Sequence, residues 1–441
     1  MRSRSILAAG FAATVVFVGA GCGGAGAPAG AQGGAAVVAP ADTVAFVAVD
    51  TDVSSTQWQA LDGVLAKLSA GRLLAEFEQL QPALGPEVDL VVLPSTSGGK
   101  PEAVLLAQPT DPSKLDAELA KLSTKPLTAR VGGWTAVSES KDALAALTGA
   151  SGHLSDSSVY REAQAKLAGD ALVRAYANGA EARQLVASLA AAAPAGKQLV
   201  WAAADVVASG NGLRVHGFVR QDGGQAPQPY DAALLDRIPG DTLAVADFVP
   251  QHHQAAAAAP SSALGAALRS VAGSLSGETA VYVGPAAPLP AVTLVTQGSD
   301  PQPLVSALHA LLGNVGSALP SGKTGSFDLG ALLGGLQLSH AVVGSDVVVS
   351  TSQAAVDAFR GNGRKLGDAP TFKAAGVPAQ TTGFVYVDLK DAGPLLQGLA
   401  RLAGGAGATG MPSLGALRSL TAYGSGSSGG ISSFTAYLEV Q

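Results

Sequence analysis

Three glycine runs fit the G-x-G-x-x-G spacing that lets a backbone wrap a dinucleotide pyrophosphate: Gly21, Gly23, Gly26; Gly405, Gly407, Gly410; and Gly424, Gly426, Gly429. That chemistry needs a strand before the loop and a helix after it, so that helix amides face the phosphate. None of the three has this setting: the first lies in a leader and tether, the second in a helix-end loop, and the third runs into a strand pattern at 431–440. Gly322, Lys323 and Thr324 imitate the end of a phosphate loop, but Gly316 stands one residue too far upstream, and loop length is what aims the amides.

The hydroxyl and imidazole groups lead no further. Ser97 with Lys100, and Ser138 with Lys141, have the S-x-x-K spacing of penicillin-recognising enzymes, and Lys323, Thr324, Gly325 reads K-T-G. No Ser-Asp-Asn element lies between them, Gly98 and Gly99 make the first pair a loop, and Ser138 ends a strand rather than opening a helix. Gly426, Ser428, Gly430 matches the esterase elbow, which requires a strand-to-helix turn, yet this one sits in a hairpin. Of the six histidines, His252 and His253 are adjacent and diverge in any regular element, while His153, His216, His309 and His340 have no chelating spacing. Asp42 and Asp241 recur in matching contexts after a proline, where an aspartate closes a turn. The residues therefore name no catalytic group, no cofactor and no metal site, and the expectation is a protein that is not an enzyme.

The elements that would position any site come in two series. Residues 40–45 (PADTVA) are answered by 239–244 (PGDTLA), 87–94 (EVDLVVLP) by 278–285 (ETAVYVGP), and 131–147 by 342–359. Asp111, Pro112 matches Asp300, Pro301 as a capped turn into a helix, Tyr160 matches Phe372, and the Tyr176 strand matches the Tyr386 strand. Trp58, Leu61, Leu65, Leu68 and Leu264, Leu268, Val271, Leu275 lie at helical spacing. A collinear series with nearly equal spacers indicates a duplicated unit. The expected fold class is α+β: two tandem diverged repeats, each a mainly antiparallel sheet with helices packed on one face. The expected boundaries are a leader at 1–21, a flexible tether at 22–39, a first repeat at 40–220, a linker at 221–235 and a second repeat at 236–441.

Composition narrows the class of function. Hydrophobic residues are 47% of the 441 and charged residues 14%, enough to bury two cores. Aromatics are only 5%, so small aliphatic side chains must build them. The net charge of −6, with no block of Lys or Arg, argues against nucleic acid as a partner. The single cysteine, Cys22, cannot form an internal disulfide.

Its position explains it. Arg2 and Arg4, an apolar run from Ile6 to Val18, and Gly19, Ala20, Gly21 before Cys22 read as a signal peptide too short to span a bilayer. The arrangement resembles the bacterial lipobox, in which the cysteine is acylated and becomes the new N-terminus, with Gly19 standing where Leu or Val is usual. The Pro-Ala-Asp-Thr strand and its second appearance resemble a bacterial family of exported proteins classified as a domain of unknown function. That resemblance implies an extracytoplasmic setting and no catalytic residues.

The expected address is thus the extracytoplasmic face of a bacterial membrane, with lipid attachment at Cys22. The first functional expectation is a non-enzymatic binding or scaffold protein for an envelope partner. The second is a carrier of a lipid or other apolar ligand, and the last a cell-wall hydrolase. If Cys22 is acylated, Cys22→Ser moves the protein from the membrane pellet to the soluble fraction and removes the diacylglycerol mass from its N-terminal peptide. A Cys22→Ser protein that still sediments with membranes would refute the anchor.

Overall fold

The computed structural model describes residues 34–95, 101–181, 198–223, 227–250, 263–286, 290–298, 300–318, 338–393 and 414–441. Cys22 with the leader, Ser97, Lys100, His252, His253, residues 322–325 and Gly405, Gly407, Gly410 lie outside the described residues. The described chain divides into two compact units, one formed by residues up to 227 together with 424–441, the other by residues 228–423. Both mix helices with antiparallel strands, an α+β architecture.

The first unit is built on β1 (Ala45–Asp50), β2 (Glu87–Leu93), β3 (Glu102–Ala107), β4 (Leu127–Val131), β5 (Trp134–Ser138), β6 (Val173–Asn178), β7 (Gln198–Ser209), β8 (Gly212–Asp222) and the chain's last strand, β18 (Ile431–Val440). Their order across the sheet is β4-β5-β3-β2-β1-β6-β7-β8-β18. Val131 pairs with Trp134 across a two-residue turn, Gly132-Gly133, where Gly132 takes the positive φ of +56° that such tight hairpins demand.

Five helices complete this unit: α1 (Thr56–Lys67), α2 (Gly71–Leu84), α3 (Pro112–Ala120), α4 (Lys141–Thr148) and α5 (Ser158–Gln164). Their starts follow from local chemistry. Ser55, Ser140 and Ser157 each accept a backbone amide of the first turn, and Asp111 accepts those of Ser113 and Lys114 ahead of Pro112.

In the second unit, β10 (Ala244–Phe248), β11 (Thr279–Gly284), β12 (Ala291–Gln297), β13 (Ser339–Val343), β14 (Asp346–Ser350), β16 (Gly383–Asp388) and residues 417–423 of β17 (Leu417–Ser428) run in the order β13-β14-β12-β11-β10-β16-β17. A small ladder joins β9 (Tyr230–Asp231) to β15 (Gln380–Thr381). The helices are α6 (Ala263–Ser274), α7 (Gln302–Ala318), α8 (Gln353–Arg360) and α9 (Pro370–Ala375).

Helices cover both faces of each sheet, which corrects the expectation of helices on one face. In the first unit, Phe46, Val91, Val104, Leu106 and Trp134 pack against α4 and α5. The alternate residues point the other way, where α1 sets Trp58 against Leu172 and Ala208. In the second unit, Val348 joins α8 and α9 while Val347 and Val349 join Leu275 and Leu304. The reason is visible in β5 and β14, whose residues are all buried: a strand without a wet side needs cover above and below.

Three boundaries also shift. The expected flexible tether ends early, because Ala35, Ala36 and Ala39 are buried in the first core and the Ala35 amide donates to Asp89 Oδ2 at 2.7 Å. The expected linker at 221–235 contains β9 and a 3-10 turn, Ala233–Asp236, that buries Leu234. Residues 431–440, expected in the second repeat, belong to the first unit because β18 is hydrogen-bonded along β8.

That last pairing is testable at one point. Gly217 on β8 faces Phe434 on β18, and a Cβ there would overlap the ring. Gly217→Ala should cost about 1–3 kcal/mol in urea unfolding. In a double-mutant cycle with Phe434→Ala the two losses should fall short of additivity by about 1 kcal/mol. Strict additivity would mean that the two residues do not meet.

Candidate functional site: an apolar cavity in the first unit

On the α2 and α3 side of the first sheet the layers do not close completely. Leu90, Leu105 and Val137 stand in register across β2, β3 and β5 and form a floor. Leu80, Ala83 and Leu84 from α2, with Leu115 and Leu119 from α3, form the walls of a cavity of about 390 Å³ that opens partly to solvent. This size falls within the roughly 300–1,000 Å³ of small-molecule sites, and apolar cavities of about 150 Å³ already hold benzene. Leu122, 38% exposed, sits at the edge.

Polar residues are few in the lining. Glu118 is paired with Lys121, and the Thr124 hydroxyl donates to Glu139 Oε1 at 2.9 Å. Ser138, the serine of the S-x-x-K spacing, donates to the Ala103 carbonyl at 2.8 Å and accepts the Ser140 amide at 3.1 Å. Its hydroxyl therefore closes the turn from β5 into α4. Ser350 ends β14 in the same manner, donating to the Val292 carbonyl and accepting the Ser352 amide.

A second kind of site is a buried acid pair in each unit. In the first, Asp89 on β2 is completely buried opposite Ala48 on β1, beside Glu87, which contacts Arg174 at 3.4 Å. Burial raises both carboxyls, Asp89 strongly; the charge of Glu87 pushes Asp89 further up, while Arg174 and the contact with Asp89 partly offset the shift of Glu87. In the second unit, Asp247 on β10 is buried opposite Ala280 on β11, with Glu278 alongside. Burial lifts Asp247 to about 8, and the Tyr230 hydroxyl donates to its Oδ1. Glu278, also raised by burial, accepts the Ala233 and Leu234 amides at 3.1 and 2.9 Å.

In each pair a carboxyl holds backbone amides of the segment before β1 or before β10. Their geometry is that of internal caps.

The other sequence candidates stay apart. Asp42 and Asp241 are exposed, and the turns beside them are closed by Thr43 and Thr242, whose hydroxyls donate to Pro40 and Pro239 carbonyls at 2.6 and 2.7 Å. His309 and His340 are exposed, and the His153 ring Nδ1 is buried without a partner. His216 Nδ1 meets Asp205 at 2.8 Å, but the other Asp205 oxygen takes the Ala168 amide, so this carboxylate ties the loop after α5 to β7. Gly426, Ser428 and Gly430 lie at the β17–β18 hairpin, with positive φ at both glycines. Among the described residues no three His, Cys, Asp or Glu side chains come together as metal ligands, and no helix is long and apolar enough to cross a membrane.

Sequence reasoning missed the cavity and the acids. Asp89 and Asp247 carried a signal, being acids inside apolar strand patterns (EVDLVVL and AVADF). The cavity carried none, since its leucines read as ordinary core. Comparisons with protein-family models, curated proteins and solved structures return no match.

The acid pairs make stability depend on pH. A carboxyl raised to about 8 when folded and near 4 when unfolded holds an extra native proton, so its contribution is complete below pH ~4 and is lost as pH rises through ~8. Asp247→Asn, neutral throughout, should flatten the fall in melting temperature between pH ~5 and ~9. An unchanged slope would show that Asp247 is not protonated in the native state.

Proposed function

We propose that this protein is an extracytoplasmic lipoprotein, tied to a bacterial membrane through acylated Cys22, that binds an apolar ligand in the cavity of its first unit without chemically changing it. The observation that carries the reading is the 390 Å³ void whose floor and walls are leucine, valine and alanine. Half-buried leucines around an open void are costly to leave facing water, and an apolar ligand removes that cost. A carrier on a membrane surface also draws on the one phase where such ligands are concentrated. The carboxyl pairs and the Asp205–His216 contact are absorbed by structural bonds, which supports binding over catalysis.

We take the two units as diverged copies of one ancestral module, expected from the collinear sequence series and its resemblance to an exported family. Several correspondences support this. The order β4-β5-β3-β2-β1-β6-β7 has the same connectivity as β13-β14-β12-β11-β10-β16-β17. Tyr160 on α5 packs edge-on against Tyr176 on β6, and Phe372 on α9 packs likewise against Tyr386 on β16. Ser138 and Ser350 close equivalent turns, and Pro40 and Pro239 each form a single bridge to the segment before a 3-10 turn.

Native mass spectrometry of the Cys22→Ser chain, purified gently from a lipid-containing host, tests the function. The expected spectrum contains a bound apolar species that disappears in Leu105→Trp, where the indole occupies the floor. Apo mass alone, together with no displacement of a fluorescent acyl ligand, would end the reading.

A further inference from the structure

The mouth of the cavity says what the polar end of the ligand must be, an inference that rests on the cavity being the ligand site. Among the described residues of its lining, Glu118 and Glu139 are the charged groups, and none is Lys, Arg or His. Lys121 is engaged with Glu118 from outside the lining, and the Ser138 hydroxyl is committed to the Ala103 carbonyl. Thr124 spends its proton on Glu139.

The charged side chains of the described lining are thus two carboxylates, one held by Lys121 and the other by Thr124. An ionised carboxylate accepts hydrogen bonds and donates none. A ligand with a carboxylate or phosphate head would bring like charge to Glu118 and Glu139 and find no cation in the lining to answer it. A head carrying hydroxyl groups donates to the same carboxylates without repulsion, while its chain lies over Leu90, Leu105 and Val137.

We infer that the cavity selects a neutral, hydroxyl-bearing amphiphile, the chemistry of a monoacylglycerol, and rejects the free acid of the same chain. Glu118 and Glu139 determine this selectivity, and the leucine floor supplies the affinity.

Titration calorimetry on the full mature chain carrying Cys22→Ser, at about pH 8 and low salt, with 1-lauroylglycerol and laurate below their aggregation limits, tests it. The expected result is tighter binding of 1-lauroylglycerol by about tenfold or more, the size of a modest electrostatic discrimination. The double variant Glu118→Gln, Glu139→Gln should bring laurate to within about threefold of the glyceride. Leu105→Trp should abolish both. Laurate binding as tightly as the glyceride, or a gap that the double variant does not narrow, overturns the selectivity while leaving the cavity as a ligand site. Failure of both ligands to bind, or binding of both that ignores Leu105→Trp, overturns the cavity reading itself.

Discussion

Everything in this protein follows from having to cover both faces of antiparallel sheets with side chains that are mostly small. Aromatics are 5% of the chain, and in the first unit Phe46, Trp134, Tyr160, Tyr176 and Trp201 are all spent on the face under α4 and α5. There they fill the space between layers, and Trp201 satisfies its indole by donating to Glu162 at 3.1 Å. On the opposite face the stack of Trp58 on Phe77, 4.5 Å between ring centres, seals one end only. The other end has leucine, valine and alanine against a floor of the same kind, and these cannot bridge the gap that α2 and α3 leave. The cavity is where the supply of large side chains runs out.

The buried acids show how the same constraint is met in two ways. In both units a chain segment enters beneath the sheet before its first strand, and its amides must be bonded where water does not reach. The first unit provides Asp89 from β2 opposite an alanine on β1, and the second provides Asp247 from β10 opposite an alanine on β11. A carboxyl thus occupies one cross-strand position from either side, with a glutamate from the start of β2 or just before β11 as its neighbour. In the second unit the glutamate holds the amides and the aspartate takes the Tyr230 hydroxyl, whereas in the first the aspartate holds the Ala35 amide itself. Burial disfavours the charged form and raises all four carboxyls, and in each pair the glutamate's charge pushes its aspartate further up.

Much of this was legible in the residues. The strand and helix series, the aspartate caps before Pro112 and Pro301, and the aromatic positions 160, 176, 372 and 386 correspond to elements of the structure, because local spacing and capping are local physics. The second helical layer was harder to read. The strand residues beneath it, such as Leu90, Leu105 and Val137, lie in apolar runs, and a run does not say which of its side chains looks up. The return of 431–440 to the first unit was invisible for a different reason: strand pairing at long range depends on register with β8, for which Gly217 opposite Phe434 is the clearest mark. The acids at 89 and 247 could have been found, since a lone carboxyl within an apolar strand has to be bonded or protonated.

In the first unit the cavity and the raised carboxyls lie on opposite faces of the sheet, an arrangement that accords with the binding role proposed above. Asp89 lies on the opposite face of the first unit's sheet from Leu90 and Leu105, joined to Ala35 in the core that holds Val91 and Val104. Successive strand residues point to opposite faces, so a ligand over Leu90 is separated from Asp89 by the backbone of β2 itself. A general acid or base must reach the atom it protonates, and here the sheet stands between. What remains on the cavity's side is apolar surface, with Glu118 and Glu139 as its charged residues among those described.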